Sequence, residues 1–321
     1  MAEKHPDAAH SDKGATRAVL AALFGNLGVS IAKFVAWLMT GSSAMLAETL
    51  HSVADTGNQV FLLLGLKLGR KPPDEEHPFG YGRERYFWAF IVALSIFSVG
   101  GLFAVVEGIR KIGKPHPIEN PLASYIALGI AFVLEAYVLR VAYQEFKHWR
   151  EKNPGPFWHS LKNSKSPTIL VVLFEDSAAL LGIIVATVGI TLTLLTDNSV
   201  YDGIASLVIG VILFAAAAFI GWRTRGLLIG EAATEADRER IREAVVRVPE
   251  VESLMELLTL HLGPEDVLVN LNVNFKEGLS TDDLERAVDD IERRIRKFVP
   301  TARRIFIEAE SLRGIGGSPS P

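Results

Sequence analysis

The chain alternates long apolar runs with short polar connections and then changes character near residue 231. Six apolar segments run approximately Ala18–Met39, Ser43–Leu66, Tyr86–Ile109, Pro121–Ala142, Thr168–Leu195 and Val200–Gly221. Each is long enough to cross a bilayer as a helix, which takes about 20 residues. From Glu231 the pattern is that of a small soluble unit. Thr234, with Asp237 three positions on, predicts a capped helix to about Arg247. Val251–Leu262 and Val267–Phe275 read as strands joined by a Gly263-Pro264 turn, the second alternating cleanly in VLVNLNVNF. Ser280 caps a helix over Thr281–Lys297, and Arg303–Ala309 alternates again.

The predicted fold is therefore an α-helical membrane protein, a six-helix transmembrane bundle followed by a small cytoplasmic α+β domain of order αββαβ. The expected divisions are a tail over 1–16, the bundle over 17–222, the αββαβ domain over 223–310 and a flexible Gly/Ser/Pro tail over 311–321. The polar N-terminus reads as a cytosolic tail and not as a signal peptide, since no short apolar core with a cleavage site follows it.

Charge sets the orientation. Lys67, Arg70, Lys71, Arg83 and Arg85 lie between spans two and three, and Lys147, Arg150, Lys152, Lys162 and Lys165 between four and five. Lys and Arg mark the cytoplasmic side, so both termini are expected there. Arg110, Lys111 and Lys114 dissent and are outnumbered. Overall, 49% of the 321 residues are hydrophobic and 22% charged, with a net charge of −4, which gives no sign of a nucleic-acid partner. Cysteine is absent. Thiolate metal sites and cysteine nucleophiles are thereby excluded, leaving His, Asp and Glu as ligands.

The chemistry concentrates in LAETLHSVADTGNQ, Leu46–Gln59, inside the second span. His51 and Asp55 stand one turn apart, so an imidazole and a carboxylate share a helix face, with Glu48 before them and Asn58 and Gln59 after. A carboxylate in hydrocarbon costs about 2.5–3.5 kcal/mol on insertion scales and marks function or a buried polar contact between helices. The fifth span adds Glu175 and Asp176 in LFEDSAALLG. Adjacent helical residues diverge by about 100°, so the two cannot aim at one point equally well. Ala179 and Gly182 favour Asp176 as the group facing a neighbouring helix. Glu175 then either swings inward or pairs with Lys33 of the first span, the pairing being favoured by the angular offset; Glu135 is the other candidate partner for Lys33. Glu107 and Asp202 lie near interfaces. Beyond the second span, Asp74 and His77 in PPDEEHPFGYGRERYFW form either a weak cation site or an ordinary solvated loop.

GSSAMLAETLHSVAD in the second span, DEEHPFGYGRERYFW after it, YDGIASLVIG opening the sixth and the αββαβ tail together resemble the cation diffusion facilitator family of divalent-metal/proton antiporters. The fifth span resembles most the branch of the animal mitochondrial zinc transporter, which has bacterial members. The resemblance implies a homodimeric exporter that moves Zn²⁺, as transported substrate, against protons by alternating access. It also implies a central site with two ligands from span two and two from span five. His51 and Asp55 match the first pair and Asp176 one member of the second; the remaining position is Val172, which binds no metal. Glu175, Glu135 or water is left to complete a tetrahedron. One histidine among carboxylates is a harder set than two, and could admit Mn, Fe or Co. At the loop, Asp74 and His77 match two ligands and Tyr81 stands at the third. In the cytoplasmic domain the family's zinc positions fall on Met255, Asn272 and Glu308, with only His261 nearby, so a weak or absent site is expected there. Arg83 is the candidate charge contact for Glu231. Metal binding needs deprotonated ligands and therefore expels protons; an unperturbed imidazole titrates at about 6.5, which suits His51 to the exchange. A bacterial inner membrane is favoured over an organellar one. An intramembrane metalloprotease is excluded by the lack of HExxH, while a non-transporting membrane scaffold remains the rival reading.

Overall fold

The computed structural model describes residues 6–40, 43–114, 121–152 and 156–310, with the backbone alone for 6–12, 36–37, 39–40, 43–51, 152, 162–163 and 310. The chain divides into two compact units. One comprises 10–70 and 84–225; the other joins 6–9 and 71–83 to 226–310 among the described residues.

The first unit is helical. α1 spans Pro6–Thr40, α2 Ser43–Leu68, α3 Glu84–Ser95 and α4 Phe103–Gly113. α5 spans Pro121–Lys152, α6 Phe157–Asn163, α7 Pro167–Thr196 and α8 Val200–Ile229. α3 and α4 are one apolar stretch interrupted by a π-helical turn over Ile96–Leu102. Among the described residues, five helical stretches are long and apolar enough to cross a membrane. The sixth, α2, has 26 residues, about 39 Å at 1.5 Å per residue, which exceeds a hydrocarbon core of about 30 Å.

Two features depart from the expected pattern. The polar segment expected as a tail is helical from Pro6, where proline fits a first helical turn and the alanines that follow favour its continuation. The basic connection between α5 and α7 contains α6, whose seven residues are too few for a periodic signal. The π-helical turn and α4 meet α8 through glycines. A Cβ on Gly101 would stand 2.5 Å from the Phe214 ring, and one on Gly108 would stand 2.9 Å from the Gly203 carbonyl oxygen. Such close approach between spans is the use of small residues in membranes. The unit's core is formed by Leu62 and Leu66 of α2, Ala89 and Val92 of α3, Phe146 of α5, and Ile169–Leu173 of α7. Ile184 of α7 and Val211 of α8 are exposed, as suits a lipid-facing side.

In the second unit, α9 spans Glu235–Val246, β1 Val251–Gly263, β2 Asp266–Phe275, α10 Thr281–Phe298 and β3 Ala302–Glu310. The sheet order is β1-β2-β3, with β1 antiparallel to β2 and β2 parallel to β3. The Thr234 hydroxyl accepts the Asp237 N–H at 3.2 Å, and Ser280 with Asp283 forms a reciprocal capping box. Val267, Val269, Leu271 and Val273 point to one face, where Ile241 and Val245 of α9 and Ile291 and Ile295 of α10 cover them.

Candidate metal site in the membrane unit

The polar residues of α2 sit on an otherwise apolar helix, and their burial is graded. Asp55 is half-buried, whereas Ser52, Asn58 and Gln59 are buried, Gln59 completely. His51 lies within helical α2, but its side chain falls outside the described residues. α1 meets this face through Ser30, whose Oγ lies 3.4 Å from Thr56 Oγ1.

α7 supplies both acids from the inside of the bundle. Glu175 is 7% exposed and Asp176 1%. The Asn58 amide donates to Glu175 Oε1 at 3.1 Å and the Gln59 amide to Oε2 at 2.7 Å. Glu175 therefore faces α2, not away from it as the helical offset had suggested. Its extra methylene spans the angle, and two neutral amides one turn beyond Asp55 serve its charge in the manner expected of Lys33. Lys33 instead acts on Glu135 of α5. Sequence alone placed Asn58 and Gln59 on the right face; their role as an amide clamp depends on which residue of α7 stands opposite.

Glu175 consumes the NH₂ groups of Asn58 and Gln59, and the carbonyl oxygens of both amides are buried without a hydrogen-bond partner among the described residues. Asp176 Oδ2 and Glu135 Oε2 are in the same condition. The charges of Glu135, Glu175 and Asp55 all act on Asp176. Three spans thus bring α2, α5 and α7 carboxylates to one buried region, with Lys33 from α1. Among the described residues no three His, Asp or Glu converge as a ready-made ligand set. Val172 is fully buried in the apolar core.

The Asp74–Tyr81 loop belongs to the second unit. Asp74 Oδ1 accepts the His77 backbone N–H at 2.7 Å and Oδ2 accepts the Tyr81 hydroxyl at 2.7 Å. The His77 ring leans on Tyr81 at a centroid distance of 4.3 Å, with its Nδ1 3.8 Å from Asp74. The Tyr81 hydroxyl, followed by the His77 N–H, holds the Asp74 carboxyl below the usual carboxylate range. Arg304 donates to the carbonyls of Phe79 at 3.1 Å and Pro78 at 3.4 Å, fixing the loop against β3. Sequence gave no sign of this contact. The Arg83 guanidinium runs beside Gly230, next to Glu231 in the chain; Nη2 lies 3.8 Å from where a Cβ on Gly230 would stand.

Within the sheet, Asn272 and Glu308 are directly opposed, Met255 is exposed on β1, and His261 is buried with Nδ1 3.2 Å from the Gly263 carbonyl.

Residues 19–229 match the family model described as the cation efflux transmembrane domain, and residues 233–312 that of the cation efflux protein cytoplasmic domain. Metal tolerance protein C4 of Arabidopsis thaliana is 32% identical over 83% of this chain and 58% of its own length. The proton-coupled zinc antiporter SLC30A9, mitochondrial, of Mus musculus is 30% identical over 87% of this chain and 50% of its own. The chain spans about half the length of these relatives. Magnetosome protein MamB of Paramagnetospirillum magneticum is 28% identical over 89% of this chain and 91% of its own length.

Proposed function

The chain belongs to the cation efflux, or cation diffusion facilitator, family, a family of transporters and not of enzymes, and from that premise we propose that it exports a divalent cation in exchange for protons. Zinc is the first candidate. A relative that shares most of this chain carries the name of a proton-coupled zinc antiporter. His51, Asp55 and Asp176 hold the ion in the bundle; on the loop both Asp74 oxygens already accept from His77 and Tyr81, so Asp74 and His77 form at most a weak cation site.

One observation carries this reading. Asp176 is 1% exposed inside a membrane unit, and its Oδ2 has no hydrogen-bond donor among the described residues. A buried carboxylate oxygen left without a donor is costly in a purely structural role. A passing dication supplies what the protein withholds, and the imbalance is sustained because it recurs in each transport cycle. Binding demands deprotonated ligands, so loading from the cytoplasm releases protons and unloading on the far side takes them up.

The basic connections favour a cytoplasmic position for both termini, and the match to the family's cytoplasmic domain supports a homodimer. A bacterial inner membrane is favoured over an organellar one because this chain covers 91% of the bacterial relative's length.

The test is uptake of Zn, Mn, Co, Fe and Cd into proteoliposomes of the full chain under an imposed pH gradient. Zinc flux driven by the gradient is expected. A protein that inserts and folds but moves none of the five metals would be the scaffold that Val172 keeps in play.

A further inference from the structure

We propose that Glu135 of α5 supplies the ligand missing at Val172, while Glu175 frames the site without binding the ion. The inference rests on the exporter reading above and assigns a ligand to a helix outside the pair α2 and α7.

Glu135 interrupts the apolar stripe of α5. Ala131, Glu135, Val138 and Ala142 follow one helical face and are 3%, 9%, 1% and 0% exposed. That face meets α1, where Val138 Cγ2 would stand 2.5 Å from a Cβ on Gly25, and α5 also packs along α7. A carboxylate on such a stripe is enclosed by design of the packing, not by accident of a lipid-facing position. Its Oε2 has no hydrogen-bond partner among the described residues.

The surrounding inventory is one-sided. Glu135 Oε2, Asp176 Oδ2, Asn58 Oδ1 and Gln59 Oε1 are all buried acceptors without a donor among the described residues. The charges of Asp55 of α2 and Lys33 of α1 act on Glu135, and its own charge acts on Asp176 and Glu175 of α7. Four carboxylates therefore share a region with one ammonium. Mutual repulsion holds the acids from converging, and a dication reverses the sign of that interaction. Buried polar oxygens of this kind are ordinarily satisfied, and a surplus of acceptors is completed by a cation.

Glu175 is disqualified by its own contacts. Both of its oxygens hold amides, at 3.1 and 2.7 Å, and binding metal would break that clamp. Glu135 has an oxygen to give. With one imidazole and three carboxylates, the set is oxygen-rich and admits manganese, iron and cobalt beside zinc.

The test is calorimetric titration of the full chain in detergent with Zn²⁺ and Mn²⁺. Glu135→Gln should weaken zinc binding by at least about 10-fold, the lower bound for loss even of a group that only supports a ligand. The double variant Glu135→Gln/Lys33→Met, which strands no ammonium, should fold normally and bind equally weakly. Adding Val172→Asp to Glu135→Gln should recover part of the lost affinity by returning a carboxylate to the α7 position. Wild-type affinity in Glu135→Gln, or its return in the double variant, would show that Glu135 serves only Lys33 and overturn the assignment. The parent reading has its own control: if Asp176→Asn also binds and transports zinc normally, the site itself is misplaced, whereas a dead Asp176→Asn beside a normal Glu135→Gln removes Glu135 alone.

Discussion

The membrane unit and the Asp74–Tyr81 loop each combine aspartate with histidine, and they treat the aspartate in opposite ways. On the loop, both Asp74 oxygens are taken by the loop's own donors, and water reaches the rest. In the bundle, Asp176 is sealed from water, and one of its oxygens is left without a donor among the described residues. The same carboxylate is thus a finished structural element in one place and an unfinished one in the other. Local donors complete a loop cheaply. In a low-dielectric interior an unmet acceptor is expensive, so its persistence points to a visitor.

The largest effect expected from this contrast is functional. Asp55→Ala and Asp176→Ala should each abolish zinc uptake by proteoliposomes, while Asp74→Ala should leave most of it. Stability should move the other way. Removing Asp176 takes an uncompensated buried acid out of the core, so thermal unfolding of Asp176→Asn should occur no earlier than in the wild type. An Asp176→Asn protein that transports normally but unfolds early would mean that this acid supports packing, and the comparison would fail.

Glu175, next in the chain to Asp176, sharpens the point because its oxygens are both satisfied. Glu175→Gln replaces an acceptor with a donor that confronts the NH₂ groups of Asn58 and Gln59. One of the two bonds is lost and a buried NH₂ is left facing another donor, at a cost of about 1–3 kcal/mol. The expected result is a clear drop in thermal stability, with any loss of zinc affinity secondary to it. Adding Gln59→Glu restores an acid–amide pair and should recover stability, whereas Lys33→Met should not. Recovery by Lys33→Met would reinstate the Glu175–Lys33 ion pair that the helical offset alone had favoured.

These two acids also show where sequence reading reached its limit. The soluble unit was legible almost to the residue, because Thr234, Ser280 and Asp283 announce helix starts and VLVNLNVNF can bury only one face of a sheet. The long helices were legible for the same reason, through sustained apolarity. α6 was not, since seven residues carry too little periodic signal. Nor was the attachment of the loop to the second unit, which depends on Arg304 meeting Phe79 across 225 positions of chain. In the site, spacing put Asn58 and Gln59 on the face of α2 that meets α7, but it misdirected Glu175 on α7. Which acid meets the amides and which is left over depends on the rotation of one helix against the other, a tertiary fact that a 100° rule for one helix does not contain.

The smallest predicted effect lies on the loop and tests the completed half of the comparison. The Tyr81 hydroxyl is the largest influence holding Asp74 below its ordinary value of 3.8, with the His77 N–H next. Both favour the ionised acid, so they stabilise the folded loop above the unfolded value, and that contribution fades as pH falls through the depressed folded value. Tyr81→Phe removes the larger influence and leaves the backbone donor. The Asp74 titration, followed by carboxyl ¹³C NMR in the full chain, should move up towards 3.8 without reaching it. Arg304 still holds the Pro78 and Phe79 carbonyls, so the loop should stay in place and zinc transport should be little changed. An Asp74 titration unmoved by Tyr81→Phe would show that the tyrosine does not complete this acid. The loop would then resemble the bundle, with an acceptor left open for a cation.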